Sequence, residues 1–244
     1  MAETDIIVHP KRGKRENPVP KDGIFFVTPA EARRAHELVE GAGGTRRFFY
    51  NSRLTVSGCG SYFVVGPAVG SPMAAMTMEK LIALGAQSII MYGWCGAADD
   101  ALHVGDVLVG SVAVSGEGTS KYYPGSMPKS SSGVLSRFLQ GWAKEKGLVC
   151  TPAVIWTTDA PYRENRVELA ELQRKEGVQA VDMEYSALCS VAMFRNIDFA
   201  ALLLVSDELY HTNWRHGFMQ SAFKQTNRQI VELLCSQCYG ENAS

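Results

Sequence analysis

Three groups of polar residues follow apolar stretches of this sequence, at points where a strand would end. Two are acidic: Val181–Glu184 reads Val-Asp-Met-Glu, and Ser206–Glu208 reads Ser-Asp-Glu. The third is the glycine-containing stretch Gly66–Ser71, whose backbone N–H groups can approach a ligand closely. Because ligands of open α/β sheets bind beyond the carboxyl ends of the strands, the three groups together predict one cleft.

The two acidic groups suit different chemistry. A carboxylate such as that of Glu184 can accept two hydrogen bonds from a vicinal diol, for example the 2′ and 3′ hydroxyls of ribose. Asp182 and Met183 would then form part of the same wall. Asp207 directly follows the most apolar stretch of the chain and is therefore partly desolvated, which makes it a candidate general acid. A helix cap for the first group and a turn for the second are the structural alternatives.

Apolar runs that alternate with capped helical patterns supply the elements that would position these groups. The expected strands are residues 24–27, 54–56, 62–65, 88–92, 104–109, 153–156 and 199–205; the expected helices are residues 30–39, 73–84, 135–146, 166–176, 184–194 and 217–234. Residues 116–133 are expected to form a long loop. The alternation predicts an α/β fold with a mixed sheet, and no shift in composition divides the chain. One domain over residues 1–244 is therefore expected, with residues 1–22 as a polar N-terminal arm.

Composition limits the classes of partner. The 244 residues carry 24 Lys and Arg against 25 Asp and Glu, a net charge of −1. The chain as a whole therefore lacks the excess of positive charge that would attract nucleic acid or anionic lipid. No apolar run reaches the length of about 18 residues that a membrane span needs. The first residues are acidic and lack the order of a secretory signal. A soluble cytoplasmic protein with a small-molecule or protein partner is the expectation.

The cysteines and histidines predict no metal site. Cys235 and Cys238 form one C-x-x-C pair near the end of the chain, without the second pair or the spaced histidines that zinc needs. Packing thiols are therefore expected there. The five histidines are spread along the chain and form no ligand pattern.

Five motifs together resemble the nucleoside phosphorylase family, which contains purine nucleoside and uridine phosphorylases. Their order and spacing carry the resemblance, which extends from about Ile24 to Leu234. The motifs are Gly66-Pro67-Ala68-Val69-Gly70, Gly93-Trp94-Cys95-Gly96-Ala97 with Val104-Gly105-Asp106-Val107, Thr158-Asp159-Ala160-Pro161-Tyr162, Val181-Asp182-Met183-Glu184 and Val205-Ser206-Asp207.

The resemblance implies a single α/β domain whose central mixed sheet closes partly into a barrel flanked by helices. It also implies cleavage of the N-glycosidic bond of a nucleoside by phosphate, which gives a free base and ribose 1-phosphate. Inorganic phosphate would be the co-substrate, with no cofactor. The partners would be nucleoside, phosphate and further copies of the chain in a homo-oligomer built from dimers, a trimer or a hexamer.

The resemblance also assigns residues. Glu184 would hold the ribose hydroxyls, Met183 would pack on the sugar, and Tyr162 would line the pocket for base and sugar. Asp207 would protonate a purine at N7. Across a dimer interface, His9 would reach the sugar 5′ hydroxyl of the neighbouring subunit, and Arg47 would reach its phosphate.

The remaining candidates follow from the same motifs. Gly70, Trp94 and Asp182 belong to the predicted nucleoside site, and Ser206 adjoins the candidate acid. Arg215 lies just beyond Asp207 and could orient it or bind an anion; a surface position is the alternative. Arg163–Arg166 lies near the place where uridine enzymes read the base.

The predicted phosphate site departs from the family pattern. A glycine-aspartate-proline turn is replaced by Val27-Thr28-Pro29, and the arginine that should follow is Arg33 or Arg34. Met91 and Trp94 stand where an arginine and a hydroxyl residue are usual. Three functions therefore remain open: a phosphorylase, a hydrolase that uses water, and a non-catalytic nucleoside-binding or storage protein.

Overall fold

The computed structural model describes residues 6–125 and 129–236. Its strands are β1 (Asp22–Phe26), β2 (Thr45–Arg47), β3 (Arg53–Val56), β4 (Tyr62–Gly66), β5 (Ser88–Ala97), β6 (Val107–Gly116), β7 (Lys129–Ser130), β8 (Cys150–Thr158), β9 (Ala180–Asp182), β10 (Asp198–Glu208) and β11 (Arg215–His216). Its helices are α1 (Pro29–Gly41), α2 (Ser71–Ala83), α3 (Gly133–Glu145), α4 (Arg166–Glu176), α5 (Tyr185–Arg195) and α6 (Ser221–Cys235). In these ranges no helix has the length and apolar character that a membrane span requires.

The strands form one mixed sheet in the order β11-β10-β6-β8-β9-β5-β1-β4-β3-β2, with β7 beside β6. An additional pairing of β5 with β10 closes the five strands β5, β10, β6, β8 and β9 into a barrel. The predicted α/β fold, with a mixed sheet partly closed into a barrel and flanked by helices, is confirmed.

The sheet is buried on both faces, and the strands alternate between two apolar clusters. In β1, Phe25 belongs to the cluster that α2 and α5 cover, whereas Ile24 and Phe26 belong to the cluster under α1, α3 and α6. In β10, Leu203 and Leu204 divide in the same way. Burial on both faces explains why these strands read as continuous apolar runs rather than as alternating patterns.

The structure extends several of the expected strands, and the strand expected at 104–109 begins later, as β6 at Val107. The segment at 88–92 continues through Gly93 to Ala97, because β10 pairs with β5 from Asp198 to Glu208 and supplies hydrogen-bond partners along the whole length. The short strands β2, β9 and β11 are not evident from the sequence. Two or three residues are too few to show periodicity, and only their partner strands define them.

The last helix begins later than expected. Residues 217–220 lie outside α6, and Gly217 donates its N–H to Ser206 O at 2.7 Å. A Cβ at position 217 would lie 2.2 Å from Val104 Cγ1, so this glycine permits a close chain crossing rather than a helix start. Cys235 is the last residue of α6 and is buried, whereas Cys238 lies outside the described residues.

Residues 6–21 form neither helix nor strand, and the end of this arm is fixed where Val19 donates its N–H to Leu84 O at 3.0 Å. The expected loop at 116–133, of which 126–128 lie outside the described residues, contains a 3₁₀ turn at Ser120–Tyr122 and the strand β7, and α3 begins at its end.

His36 connects α1 to the sheet. Its Nδ1 lies 2.8 Å from Thr55 Oγ1 of β3, and its Nε2 lies 3.1 Å from Gly66 O at the end of β4. The side chain is buried, and burial lowers the pKa of His36 from 6.5 to about 4. The folded chain therefore holds this imidazole in its neutral form.

Acidification should destabilise the protein through His36. Between pH 6.5 and about 4 the unfolded chain binds a proton at this residue that the folded chain does not, so the free energy of unfolding falls as the pH falls. From about pH 7.5 to about pH 5 the loss should be about 2 kcal/mol. Urea unfolding of the wild type and of His36→Gln, which does not titrate, measures it. Equal pH dependence in the two proteins would exclude His36 as the cause.

Candidate active site

A cavity of about 550 Å³ opens beyond the carboxyl ends of β5 and β10. Glu184 and Asp207, the two acids singled out in the sequence, both line it. Its volume lies within the range of small-molecule sites, about 300–1,000 Å³. The structure thus brings the two acidic groups and the glycine-containing loop, through Val69, to one cleft.

Asp182 organises one end of the cavity. Its carboxylate is buried and accepts hydrogen bonds from Thr157 Oγ1 at 2.6 Å, from Glu184 N at 3.1 Å and from Tyr185 N at 2.7 Å. The last two are N–H groups at the start of α5, so Asp182 acts as the cap of this helix. Burial raises the pKa of Asp182, while these three bonds act in the opposite direction.

The hydrogen bonds that Asp182 accepts at the start of α5 fix the backbone at Glu184 and so orient the Glu184 side chain. Glu184 directly precedes α5, and its Oε1 accepts a hydrogen bond from Gly70 N at 2.6 Å. Gly70 has a φ of +87°, a conformation that side chains other than glycine rarely adopt, and α2 begins directly after it. Ser71 Oγ donates to Met183 O at 2.7 Å, which joins the two segments again. Burial, together with the charge of Asp182, raises the pKa of Glu184.

A buried polar network connects α5 with residues between β6 and α3. Glu117 accepts hydrogen bonds from Ser186 Oγ at 2.9 Å and from Ser120 N at 3.0 Å. Lys129 Nζ donates to Ser190 Oγ at 2.6 Å. Glu117, Ser120 and Lys129 therefore support α5, the helix that Glu184 directly precedes.

A β-bulge directs Asp207 into the other end of the cavity. In the pairing of β10 with β5, Val205 lies opposite Cys95 and Asp207 opposite Gly96, so Ser206 is the extra residue. A Cβ at Gly96 would lie 3.1 Å from Asp207 Oδ2, and the glycine therefore leaves room for this carboxylate. Ser206 Oγ donates to Asp207 Oδ1 at 2.7 Å, and Trp214 Nε1 donates to Asp207 Oδ2 at 2.8 Å.

Glu164 is a second acid at this end. It follows the 3₁₀ turn Pro161–Arg163, is half-buried and lines the cavity together with Asp207. Burial, together with the negative charge of Asp207, raises the pKa of Glu164 to about 7. In the sequence Glu164 lies in a charged stretch after a proline and carries no sign of burial; only the cavity reveals it.

Trp94 makes one wall of the cavity apolar. Its ring stacks on Phe218 with centroids 6.4 Å apart and meets Phe223 edge-on at 5.1 Å. Met91 is fully buried in the core cluster under α2 and α5 and does not line the cavity. Thr28 lines the cavity, and its Oγ1 is buried without a hydrogen-bond partner among the described residues.

The candidate phosphate arginines lie elsewhere in this chain. Arg33 is exposed on α1, and Arg34 pairs with Glu232 of α6; neither lines the cavity. Arg47 Nη1 donates to Pro18 O at 2.7 Å. His9 is exposed and does not line the cavity of its own chain. The expected contributions of His9 and Arg47 to a neighbouring subunit stay predictions.

Two further candidates are placed by the structure. Tyr162 lines the cavity and is 97% exposed, which puts it at the mouth. Arg215 lies on β11 and faces Glu208, with Nη1 3.9 Å from Glu208 Oε2. Trp214, rather than Arg215, therefore contacts Asp207.

No group of three or more His, Cys, Asp or Glu side chains suited to a metal ion occurs within residues 6–125 and 129–236.

Residues 22–236 match the Phosphorylase superfamily, and the chain belongs to this superfamily of nucleoside-processing enzymes, which includes phosphorylases and nucleosidases. The chain is 29% identical over 175 residues to a DeoD-type purine nucleoside phosphorylase of Alkaliphilus metalliredigens, a match that covers 70% of this chain and 71% of the relative.

Two solved structures share the fold. The purine nucleoside phosphorylase of Toxoplasma gondii in complex with immucillin-H aligns with a TM-score of 0.78 at 22% identity, over 90% of each chain. A futalosine hydrolase mutant of Helicobacter pylori aligns with a TM-score of 0.70 at 19% identity, over 89% of this chain and 98% of that one. The same architecture therefore occurs in a phosphorylase and in a hydrolase.

Replacement of Asp182 should destabilise the protein strongly. Asp182→Ala leaves Thr157 Oγ1 and two buried N–H groups without their acceptor, and the free energy of unfolding should fall by about 2–4 kcal/mol. Asp159→Ala is the control, because the exposed Asp159 accepts one hydrogen bond, from Gly118 N. The free energy of unfolding of Asp159→Ala should fall by less than about 1 kcal/mol. Similar losses in chemical unfolding would contradict the capping role of Asp182.

Proposed function

We propose that the chain is a nucleoside hydrolase, which cleaves the N-glycosidic bond with water and releases a free base and ribose. The observation that carries the proposal is the charge of the cavity lining. Among the described residues, Arg166 is the one basic side chain that lines the cavity, and its Nη2 donates to Thr212 O. Four carboxyl groups, those of Glu164, Asp182, Glu184 and Asp207, line it as well.

The end of the cavity around Glu184 suits the sugar. Gly70 N occupies one acceptor site of the Glu184 carboxyl, and a carboxylate has further sites for the ribose hydroxyls. Met183 supplies an apolar surface beside them. As the bond to the base breaks, the sugar becomes cation-like, and a nearby carboxylate stabilises that charge more in the transition state than in the substrate.

The end around Asp207 suits the base. Trp214, Leu209 and Gly96 give the base an apolar surface, and Glu164 and Asp207 supply polar groups at its edge. A base that departs with negative charge requires a proton. A carboxyl group placed there lowers the barrier, typically by a factor of about 10²–10⁴ in rate. A purine, with its ring nitrogens at the edge, fits this arrangement.

The apolar wall formed by Trp94 favours water over phosphate as the nucleophile. A hydrogen bond to a charged group contributes about 1.5–3 kcal/mol, so a site that lacks two such contacts binds phosphate about two to four orders of magnitude more weakly. Trp94 presents an apolar ring, packed on Phe218 and Phe223, where a phosphate would need hydrogen bonds from charged groups.

Phosphorolysis is the second candidate, and the relationship to the purine nucleoside phosphorylase of Alkaliphilus metalliredigens favours it. Ribose 1-phosphate would then be a product. In a homo-oligomer, Arg47 of a neighbouring copy would have to supply the charge that the cavity of one chain lacks.

Product analysis separates the candidates. Purine and pyrimidine nucleosides are incubated with the protein in phosphate-free buffer and with added phosphate, and base and sugar products are quantified. We expect base release without phosphate and free ribose as the sugar. Release that requires phosphate and yields ribose 1-phosphate would establish the phosphorylase instead. Binding of a nucleoside without any release would establish a non-catalytic binding protein.

Glu184→Gln should impair turnover. The variant retains an acceptor for Gly70 N but cannot ionise to the carboxylate that stabilises the cation-like sugar, so kcat/KM should fall about 10- to 200-fold. Glu176→Gln, at the exposed end of α4, is the matched control and should leave kcat/KM unchanged. Steady-state assays with the best nucleoside of the panel measure both. Equal kcat/KM values for the two variants would remove Glu184 from the sugar site.

A further inference from the structure

The base end of the cavity holds two carboxyl groups, and the departing base requires one proton. Asp207 and Glu164 line the same cavity, and the charge of Asp207 acts on Glu164. Like charges at one site favour a single proton on one of the two groups. Which acid holds the proton is decided by the hydrogen bonds that each accepts.

Asp207 is held as an acceptor on both oxygens. Ser206 Oγ donates to its Oδ1, and Trp214 Nε1 donates to its Oδ2. An indole N–H can only donate, so Oδ2 must present a lone pair to Trp214 and would accept more weakly with a proton on it. A proton on Oδ1 would make Ser206 Oγ the acceptor at 2.7 Å and leave its single hydrogen for Cys95 O, at the longer distance of 3.2 Å.

Glu164 has the opposite environment. It is half-buried between the 3₁₀ turn Pro161–Arg163 and α4, and burial contributes most to its raised pKa, with the Asp207 charge second. With a pKa of about 7, a large fraction of the molecules carries a protonated Glu164 at neutral pH.

The other ionisable groups of the cavity do not replace this pair. The Arg166 guanidinium donates to Thr212 O, and Asp182 and Glu184 belong to the sugar end. Burial raises the pKa of the Cys95 thiol well above its ordinary value. The remaining ionisable side chain is that of Tyr162, at the exposed mouth.

We propose that Glu164 is the proton donor to the leaving base, and that Asp207 is the fixed anion that keeps the proton on Glu164. This assignment rests on the proposed function. As the N-glycosidic bond breaks, its electron pair goes to the base, and the Glu164 carboxyl transfers its proton to a ring nitrogen. Water forms the new bond to the anomeric carbon and releases a proton to solvent, from which Glu164 regains one.

The test compares Glu164→Gln with the wild type on two substrates. A nucleoside needs a protonated leaving group, whereas 4-nitrophenyl ribofuranoside releases a stable phenolate. For the nucleoside, kcat of Glu164→Gln should fall about 10²–10⁴-fold. For the nitrophenyl riboside it should fall less than about tenfold, because no proton transfer is needed. Glu176→Gln should match the wild type on both substrates.

The pH profile gives a second readout. The working enzyme carries a protonated Glu164, so wild-type kcat on the nucleoside should fall as the pH rises above about 7. Glu164→Gln should lack this alkaline fall. Asp207→Asn removes the anion that raises the pKa of Glu164, and its alkaline fall should shift to lower pH.

The outcomes that would overturn the assignment are distinct. If Glu164→Gln keeps the wild-type rate or the alkaline fall on nucleosides, while Asp207→Asn loses the fall, Asp207 is the donor and the assignment is wrong. An equal loss on both substrates would mean that Glu164 has a structural role only. If the wild type cleaves neither substrate, the proposed hydrolase function fails, and the assignment fails with it.

Discussion

Gly96 is paired with two strands at once, and the whole site depends on this double pairing. On one side it lies opposite Asp207 of β10, and on the other opposite Val181 of β9, which leads directly to Asp182. The two ends of the cavity are therefore fixed by one residue of β5. A Cβ at this position would lie 3.0 Å from Leu209 Cδ1 and 3.1 Å from Asp207 Oδ2, so a side chain here would displace both residues by a few tenths of an ångström. Closure of the barrel follows from the same pairings.

Four carboxyl groups share the cavity, two on buried and two on half-buried residues, and the fold stabilises them by different means. Asp182 accepts three hydrogen bonds, and two of them come from the start of α5. Glu184 accepts one from the N–H of Gly70, and Asp207 accepts one on each oxygen. Burial of a carboxylate is costly unless such donors are present or the group binds a proton. The four acids of similar chemistry differ in these donors, and their proposed roles rest on that difference.

The fold that this chain shares with a purine nucleoside phosphorylase and a futalosine hydrolase accommodates different nucleophiles. In this chain the two ends of the cavity come from the sheet and from the start of α5. The wall formed by Trp94 rests on Phe218 and Phe223, near and within α6. The proposed use of water rather than phosphate therefore rests on the few side chains that line the cavity and not on the architecture.

The sequence alone determined the elements with strong local signals. Apolar runs such as Phe199–Val205 and capped helices such as Arg166–Glu176 are visible because burial and capping act on neighbouring residues. The order of the motifs also indicated that Glu184 and Asp207 line the same cleft. Only the tertiary structure decided the contacts between distant segments: the bulge at Ser206, the bond from Trp214 to Asp207, and the burial of Glu164. These depend on strand register and on packing across the cavity, and no local pattern of residues encodes either.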